Sequence, residues 1–385
     1  MDAIKFRRQA VLMHLKDVSV TDICKSLNCS RPWVYKWIKR YQSNPNGEWY
    51  KEYSRRPHTI HAGIDRDLEN LIVKIRRSLE KTPYAQIGAI SIQWELQKLR
   101  IEVPPIWTID RIIKKHGLSL KAKKLGKRVN EYPGYGVDAL HQMDLVGPRY
   151  INKQRLYFCN IIAADSHCIH LDPIPSKACQ NILPAVIRFW QQFGIPDYFQ
   201  MDNELSFRGS NRYPHSFGKL IRFLLSQEVT PIFIPQSEPW RNGIIEKFND
   251  TFDKKFYRTQ KFADFDFLVK QSTVFEQFHN SNYRYSINKN QTPIIVHKMN
   301  PPDRYLDKDY QIPDYIPLES GEIVLIRFIR SDRRLNIFGE IFQVKPELVY
   351  HYVEAIISVE GQSLSIYSDK HLVQQFPYYV LVDWV

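Results

Sequence analysis

Apolar residues recur at helical spacing over roughly the first 120 positions of the chain, then switch to alternating or unbroken runs. Ala10, Val11 and Leu15 mark one side of a helix over 4–16. Val20, Ile23 and Leu27 follow at i, i+3 and i+7 before Asn28-Cys29-Ser30 breaks the pattern. Ser30 is a good N-cap for a helix over about 31–42 with Pro32 in its first turn. That helix turns Val34, Trp37 and Ile38 inward and leaves Arg31, Lys36, Lys39 and Arg40 polar. Two short helices around a tight turn, the second of them basic, predict a helix-turn-helix domain over 1–43. A generic three-helix bundle produces the same pattern, with Trp33 and Tyr35 as packing residues.

A polar stretch from Ser43 to Gly63 carries turn chemistry at Asn44-Pro45-Asn46-Gly47 and an extended basic segment around Arg55 and Arg56. Helices at 65–80, 89–100 and 106–116 form a second group, predicted as another helix-turn-helix domain over 64–118. Ile92, Leu96 and Leu99 face inward on its middle helix, and Ile109, Ile112 and Ile113 on its last. Arg111, Lys114 and Lys115 point outward, and Gly117 serves as a C-cap. A basic linker over 119–137 adds Lys121, Lys123, Lys124, Lys127 and Arg128, suited to phosphate contacts.

From about 138 the order becomes β-β-β-α-β-α-β-α, which predicts an α/β core over 138–285 with helices covering a mixed sheet. A helix over 264–281 closes this region, and a polar, proline-rich connector follows. Short strands punctuated by Gly, Asp and Pro over 319–375 predict a small all-β barrel.

Charge sharpens this picture. The net charge is +13, and the excess lies in residues 1–130, with the rest of the chain close to neutral. A basic front on a neutral body points to double-stranded DNA or another polyanion as partner. No run of about 18 apolar residues appears, and the polar N-terminus lacks a signal-peptide core, so a soluble, cytoplasmic protein is expected. The five cysteines are sparse, odd in number and form no Cys-x-x-Cys pair, which supports neither a disulfide framework nor a standard zinc site.

Three carboxylates carry the candidate chemistry. Asp144 lies within a predicted strand, Asp202 at the end of another, and Glu246 early in a helix that follows Asn242-Gly243. In a β-α sheet, strand ends and helix N-termini meet at one rim, so acids distant in sequence converge. Converging carboxylates repel, and a divalent cation relieves the repulsion. All-oxygen ligation suits Mg²⁺ or Mn²⁺, and two such ions activate a hydroxyl and stabilise the leaving oxygen at phosphorus. On the last helix Ile245, Phe248, Phe252 and Phe256 make an apolar stripe, and Lys247, Lys254 and Arg258 gather on the other side. Gly243 is expected to admit close approach of backbone or substrate. A lone acid is far more often a solvated or capping residue, so the joint pattern is what counts.

The blocks "HQMDLVG", "FQMDNELSF" and "EPWRNGIIEKFN" resemble the three catalytic blocks of transposases with a retroviral-integrase-type core. The front resembles the paired helix-turn-helix modules of bacterial insertion-sequence transposases, and the tail their small β-barrel. This resemblance implies an RNase H-like core and an Asp144-Asp202-Glu246 triad. It also implies Mg²⁺-dependent cleavage at element ends, strand transfer by a 3′-hydroxyl, and a multimer assembled on DNA. Departures are visible too. Phe207 to Phe217 lengthens the interval before Glu246, Glu204 stands where glycine is common, and Asp250 and Asp253 stand where integrases often place lysines. The zinc-binding domain of retroviral integrases has no counterpart. Two other functions remain open on the sequence: a non-catalytic transposase-derived regulator, and a nuclease that cuts without joining.

Overall fold

The computed structural model describes residues 3–53, 64–119, 139–209 and 215–381, apart from the side chain of Pro239. The chain forms two units, Met1–Asp65 and Arg66–Val385. In the first, α1 (Ala3–Leu15), α2 (Val20–Leu27) and α3 (Arg31–Ser43) close around Ala10, Ile23, Leu27, Val34 and Ile38. Ser19 caps α2 by accepting from Asp22 N at 3.2 Å. Asn28 ends α2 in the left-handed region (φ 46°), and Cys29 N returns to Cys24 O at 3.1 Å. Ser30 has the extended cap backbone, but its hydroxyl makes no cap bond. Leu15, expected inside, is exposed because it is the last residue of α1 and lies past the packed stretch.

The second unit begins with α4 (Arg66–Lys81), α5 (Ala89–Lys98) and α6 (Ile106–Lys115), which bury Ile72, Ile92, Leu96, Ile109, Ile112 and Ile113. Leu99 is exposed, since α5 stops one residue before it. Between α4 and α5, Tyr84 plugs this group into the sheet domain. Its ring centroid lies 5.9, 5.2 and 5.9 Å from those of Phe256, Phe275 and Phe278, and its carbonyl accepts from Tyr283 Oη at 2.6 Å.

The sheet domain runs β1 (Leu140–Ile151), β2 (Gln154–Ala163), β3 (Ile169–Ile174), α7 (Cys179–Phe193), β4 (Tyr198–Met201), α8 (Leu205–Arg208), α9 (Lys219–Ser226), β5 (Thr230–Phe233), α10 (Gly243–Phe252), α11 (Phe265–Asn282) and α12 (Pro293–Met299). It continues through β6 (Glu322–Phe328), β7 (Arg334–Ile337), β8 (Glu340–Gln343), β9 (Tyr352–Ser358), β10 (Ser363–Ser368) and β11 (His371–Pro377). The main sheet has the order β11-β10-β9-β6-β5-β4-β1-β2-β3. β1, β2 and β3 are antiparallel neighbours, whereas β4 and β5 run parallel to β1, giving the mixed core. One face carries α7 and α9, with Trp190, Phe199 and Phe223 in its core. On the other, α10 and α11 bury Phe248, Phe252, Phe256 and Phe275. α11 also covers the β3 edge: Glu276 accepts from Leu171 N at 3.0 Å, and Asn280 bonds both N–H and C=O of Ile169.

The short strands expected over 319–375 form: β6, β9, β10 and β11 make an antiparallel meander, β7 and β8 a hairpin, and a parallel β5–β6 pairing joins the meander to the core sheet. That pairing satisfies part of the β5 edge, whose N–H and C=O groups need partners. Helix α12 lies in the polar, proline-rich connector. The insertion is anchored at both ends by buried Phe207 and Phe217. Gly209 (φ +104°) allows this, because a Cβ there would stand 2.8 Å from Gly218 N. Residues 210–214 lie outside the described residues, as do Arg55, Arg56, Lys121, Lys123, Lys124, Lys127 and Arg128. Among the described residues no helix is long and apolar enough to cross a membrane.

Candidate active site

The tripeptide Gln-Met-Asp lies within β1 and recurs at the end of β4, with Asp202 one residue past the strand, and β1 and β4 run parallel in register with Gln142 opposite Gln200. Asp144 and Asp202 each stand two residues further on, and alternation puts each on the same sheet face as its glutamine. Neighbouring strands lie about 4.8 Å apart, so the two acids are side by side. The buried glutamines hold the turn that enters α10. Gln142 Oε1 accepts from Ile245 N at 3.0 Å, and Gln200 Nε2 donates to Arg241 O and Asn242 Oδ1, both at 3.2 Å. Asn242 Nδ2 in turn donates to Met143 O at 3.1 Å. These bonds set the first turn of α10, with Glu246, over the Asp144 strand. Three residues on, Asn249 donates to Asp144 Oδ2 at 2.6 Å and accepts from Asn160 Nδ2 at 2.7 Å. Asn160 is the cross-strand neighbour of Asp144 on β2.

Electrostatics mark the three acids as one cluster. Burial pushes Asp202 up to about 6, against the Glu204 N–H that bonds it at 3.1 Å, and the charges of Asp144 and Glu204 push the same way. Burial also raises Asp144, opposed by bonds from Leu145 N and Asn249 and by the charge of Lys177. Glu246 is raised by burial and then by Asp144 and Asp202. Lys177 pairs with Glu204, and its ammonium lies 5.4 Å from the Tyr157 ring centre. The donor set is right in kind for a hard divalent cation: three oxygen ligands whose charges repel. It is not closed. Among the described residues no group of three or more acidic, histidine or cysteine side chains stands at metal-holding spacing. Paired strand register, the bonds that hold the start of α10 and the repulsion felt by Asp202 and Glu246 define the cluster.

The apolar stripe is as expected, with Ile245, Phe248 and Phe252 buried on α10 and Phe256 on the π-helical turn Asp253–Tyr257 that continues it. Its basic side is partly neutralised. Lys254 pairs with Asp250 at 2.6 Å, while Asp253 takes Arg258 at 2.5 Å and Arg149 at 2.8 Å; Lys247 is exposed beside Glu246. Gly243 has helical φ (−64°), and a Cβ there would meet open space, so neither turn nor packing requires glycine.

In the first unit the segment after α3 folds back on its cations. Glu52 pairs with Lys36 at 3.1 Å, Arg7 at 3.4 Å and Arg40 at 3.7 Å. Arg40 also donates to Lys51 O at 2.9 Å and lies 3.9 Å from the Tyr53 ring centre. Arg31 donates to Thr21 Oγ1 at 3.2 Å, and Lys39 is exposed. On α6, Lys115 pairs with Glu69 of α4 at 2.7 Å. Arg111 and Lys114 are exposed, and Arg111 lies 5.5 Å from the ring centre of Trp107, itself 65% exposed. Gln142, Gln200, Asn249 and Asn160 escaped the sequence reading. The repeated Gln-Met-Asp tripeptide was the signal for the first two; the asparagines carry none without the fold.

A family model described as a homeodomain-like domain matches residues 5–49. No curated protein matches the chain. Among solved structures, the chain is similar to the HTLV-2 integrase catalytic core domain in complex with magnesium, at 13% identity and a TM-score of 0.32, covering 41% of this chain and 95% of that one. A simian T-cell lymphotropic virus intasome in complex with a PP2A regulatory subunit is similar at 13% identity and a TM-score of 0.38, covering 82% and 99%. The catalytic core domain of BIV integrase is similar at 12% identity and a TM-score of 0.31, covering 42% and 95%. At this level of likeness the fold rests on the strand order itself.

Proposed function

We propose that the protein is a DNA transposase of the integrase type, binding element-end DNA through its helical modules and cutting and joining DNA at the acidic cluster. One observation carries the reading: the Gln142–Gln200 register and the bonds from these glutamines to the turn before α10 bring Asp144, Asp202 and Glu246 into one field, where the charge of Asp144 raises Asp202 and those of Asp144 and Asp202 raise Glu246. Asp144, Asp202 and Glu246 are the residues that would hold Mg²⁺ or Mn²⁺. Two such ions, when bound, supply Lewis-acid activation of the attacking hydroxyl and stabilisation of the leaving oxygen. Asn249 and Leu145 N orient the Asp144 carboxylate, and Glu204 N orients that of Asp202. No covalent protein nucleophile is needed. The homeodomain-like match over 5–49 supports DNA binding by the first unit. The exposed Trp107, Arg111 and Lys114 on α6 fit a second DNA contact, and a multimer on DNA follows from the need to bring two ends together.

The test is incubation of the purified protein and Mg²⁺ with labelled DNA from the inverted repeats flanking its gene. Cleavage with a joined product is expected, and Asp144→Ala, Asp202→Ala and Glu246→Ala each remove both. Cleavage without joining makes the protein a nuclease. DNA binding without either makes it a regulator, and both results overturn the proposal.

A further inference from the structure

The meander β6–β11 lies in the region expected as a small barrel, and its side chains reach the two segments that deliver acids to the cluster. Arg327 on β6 is 7% exposed. Its Nη2 donates to Asn203 Oδ1 at 2.7 Å, its Nη1 to Ile234 O at 3.2 Å, and its Nε to Asn336 O at 3.2 Å. Asn203 follows Asp202 directly, and its own Nδ2 donates to the same Ile234 O at 2.6 Å. The guanidinium thus closes a triangle between the loop after β4, the end of β5 and the β7 hairpin. A second tie starts at Tyr352, the first residue of β9. Its hydroxyl bonds Glu238 at 2.9 Å and accepts from Arg241 Nη2 at 2.8 Å, while Arg241 Nε donates to Glu238 at 2.9 Å. Arg241 O is held by Gln200 on β4, and the turn through Asn242 leads into Glu246. The ladder between β5 and β6 is only two residue pairs long, so these side chains continue the join where the backbone pairing stops.

We infer that the C-terminal meander is the frame of the acidic cluster, with Arg327 positioning Asp202 through Asn203 and Tyr352 positioning Glu246 through Glu238 and Arg241. The inference rests on the reading of that cluster as a divalent-cation site. Neither residue touches the reacting atoms; each fixes the backbone from which an acid projects. Outer partners of this kind tune ligand geometry and typically change metal affinity by about 10–100-fold.

The test uses the full chain and Mn²⁺ itself, with bound ion counted by electron paramagnetic resonance and folding followed by thermal melting. Asn203→Ala and Tyr352→Phe are the mild variants, and Arg327→Lys and Arg327→Met the severe ones. Expected is about tenfold weaker Mn²⁺ binding in Asn203→Ala, Tyr352→Phe and Arg327→Met, with Arg327→Lys intermediate, and cleavage falling in kcat rather than in KM for DNA. Ile366→Ala, which opens a cavity in the same meander away from these ties, lowers the melting temperature but keeps Mn²⁺ affinity. The inference is overturned if Asn203→Ala and Tyr352→Phe bind Mn²⁺ as the wild type does, or if Ile366→Ala loses as much affinity as they do. A wild-type protein that binds no Mn²⁺ removes the underlying reading instead.

Discussion

At the rim of the sheet, like charges from Asp144, Asp202 and Glu246 crowd into one field, and burial adds to their repulsion. In the first helical unit the opposite holds: Lys36, Arg7 and Arg40 are already matched by one acid, Glu52, on the segment that follows α3. The rim is frustrated, and on the proposed function a cation relieves it; the helical unit is satisfied, and on the same proposal it exchanges an internal partner for a phosphate. Frustration of the first kind is what supports the proposed chemistry, because nothing in packing rewards three half-buried acids in one field. Satisfaction of the second kind means that a basic helix does not by itself measure DNA affinity. The α6 face differs again, with Arg111 and Lys114 exposed beside Trp107.

The largest effect that tests this contrast is on chemistry. Asp144→Asn, Asp202→Asn and Glu246→Gln are each expected to lower Mg²⁺-dependent cleavage by at least ~10³-fold, about 4 kcal/mol of barrier, with end-DNA binding within a few-fold of wild type. Rates and gel-shift affinities on the same preparations check it, and full activity in any one variant breaks the contrast.

DNA affinity comes next. Neutralising Arg111 and Lys114 is expected to lower the slope of log K against log salt by about 0.9 for each phosphate that the variant leaves unneutralised. An unchanged slope removes α6 from the interface.

The frustration itself has a pH signature. The folded-state pKa of Asp202 is raised from 3.8 to about 6, so the folded form holds its proton longer than the unfolded chain does. Its stabilising contribution is therefore complete below pH 3.8 and is lost as pH rises through about 6. In chelator, Asp202→Asn should melt higher than wild type at pH 7.5, by about 2–4 °C per kcal/mol relieved, and gain nothing at pH 3.5. An equal gain at both pH values means that burial and repulsion of the Asp202 charge are not the cause.

The smallest effect concerns the satisfied partner. Glu52→Gln frees Lys36 and Arg40 and is expected to tighten DNA binding by up to about fivefold at low salt, with the difference vanishing at high salt. Weaker binding in this variant shows that Glu52 supports the fold of the unit instead of competing with DNA.

The same contrast explains what could be read in advance. The first unit is local, so the spacing of Ala10, Ile23, Leu27, Val34 and Ile38 and the break at Asn28 were enough to place its helices. Sequence spacing did not say where Lys36 and Arg40 point, because their partner arrives from a segment beyond the helix. The strand order of the core was legible, and each of the three acids stands where the sequence put it: Asp144 within β1, Asp202 just past β4 and Glu246 in the first turn of α10. What holds them was not legible: Asn249 to Asp144 and Arg327 to Asn203 are bonds between residues more than 100 positions apart. How the C-terminal strands join the core was hidden for a related reason. Short alternating strands look the same whether or not they pair with a neighbouring sheet, and the β5–β6 pairing joins residues far apart in sequence.

The central claim is that Asp144, Asp202 and Glu246 form one divalent-cation site, and Mn²⁺ binding followed by electron paramagnetic resonance tests it most directly. Wild-type protein is expected to bind Mn²⁺, with Asp144→Asn, Asp202→Asn and Glu246→Gln each losing most of that affinity and Mg²⁺ displacing the bound ion. Wild-type affinity retained in any one of the three contradicts the account.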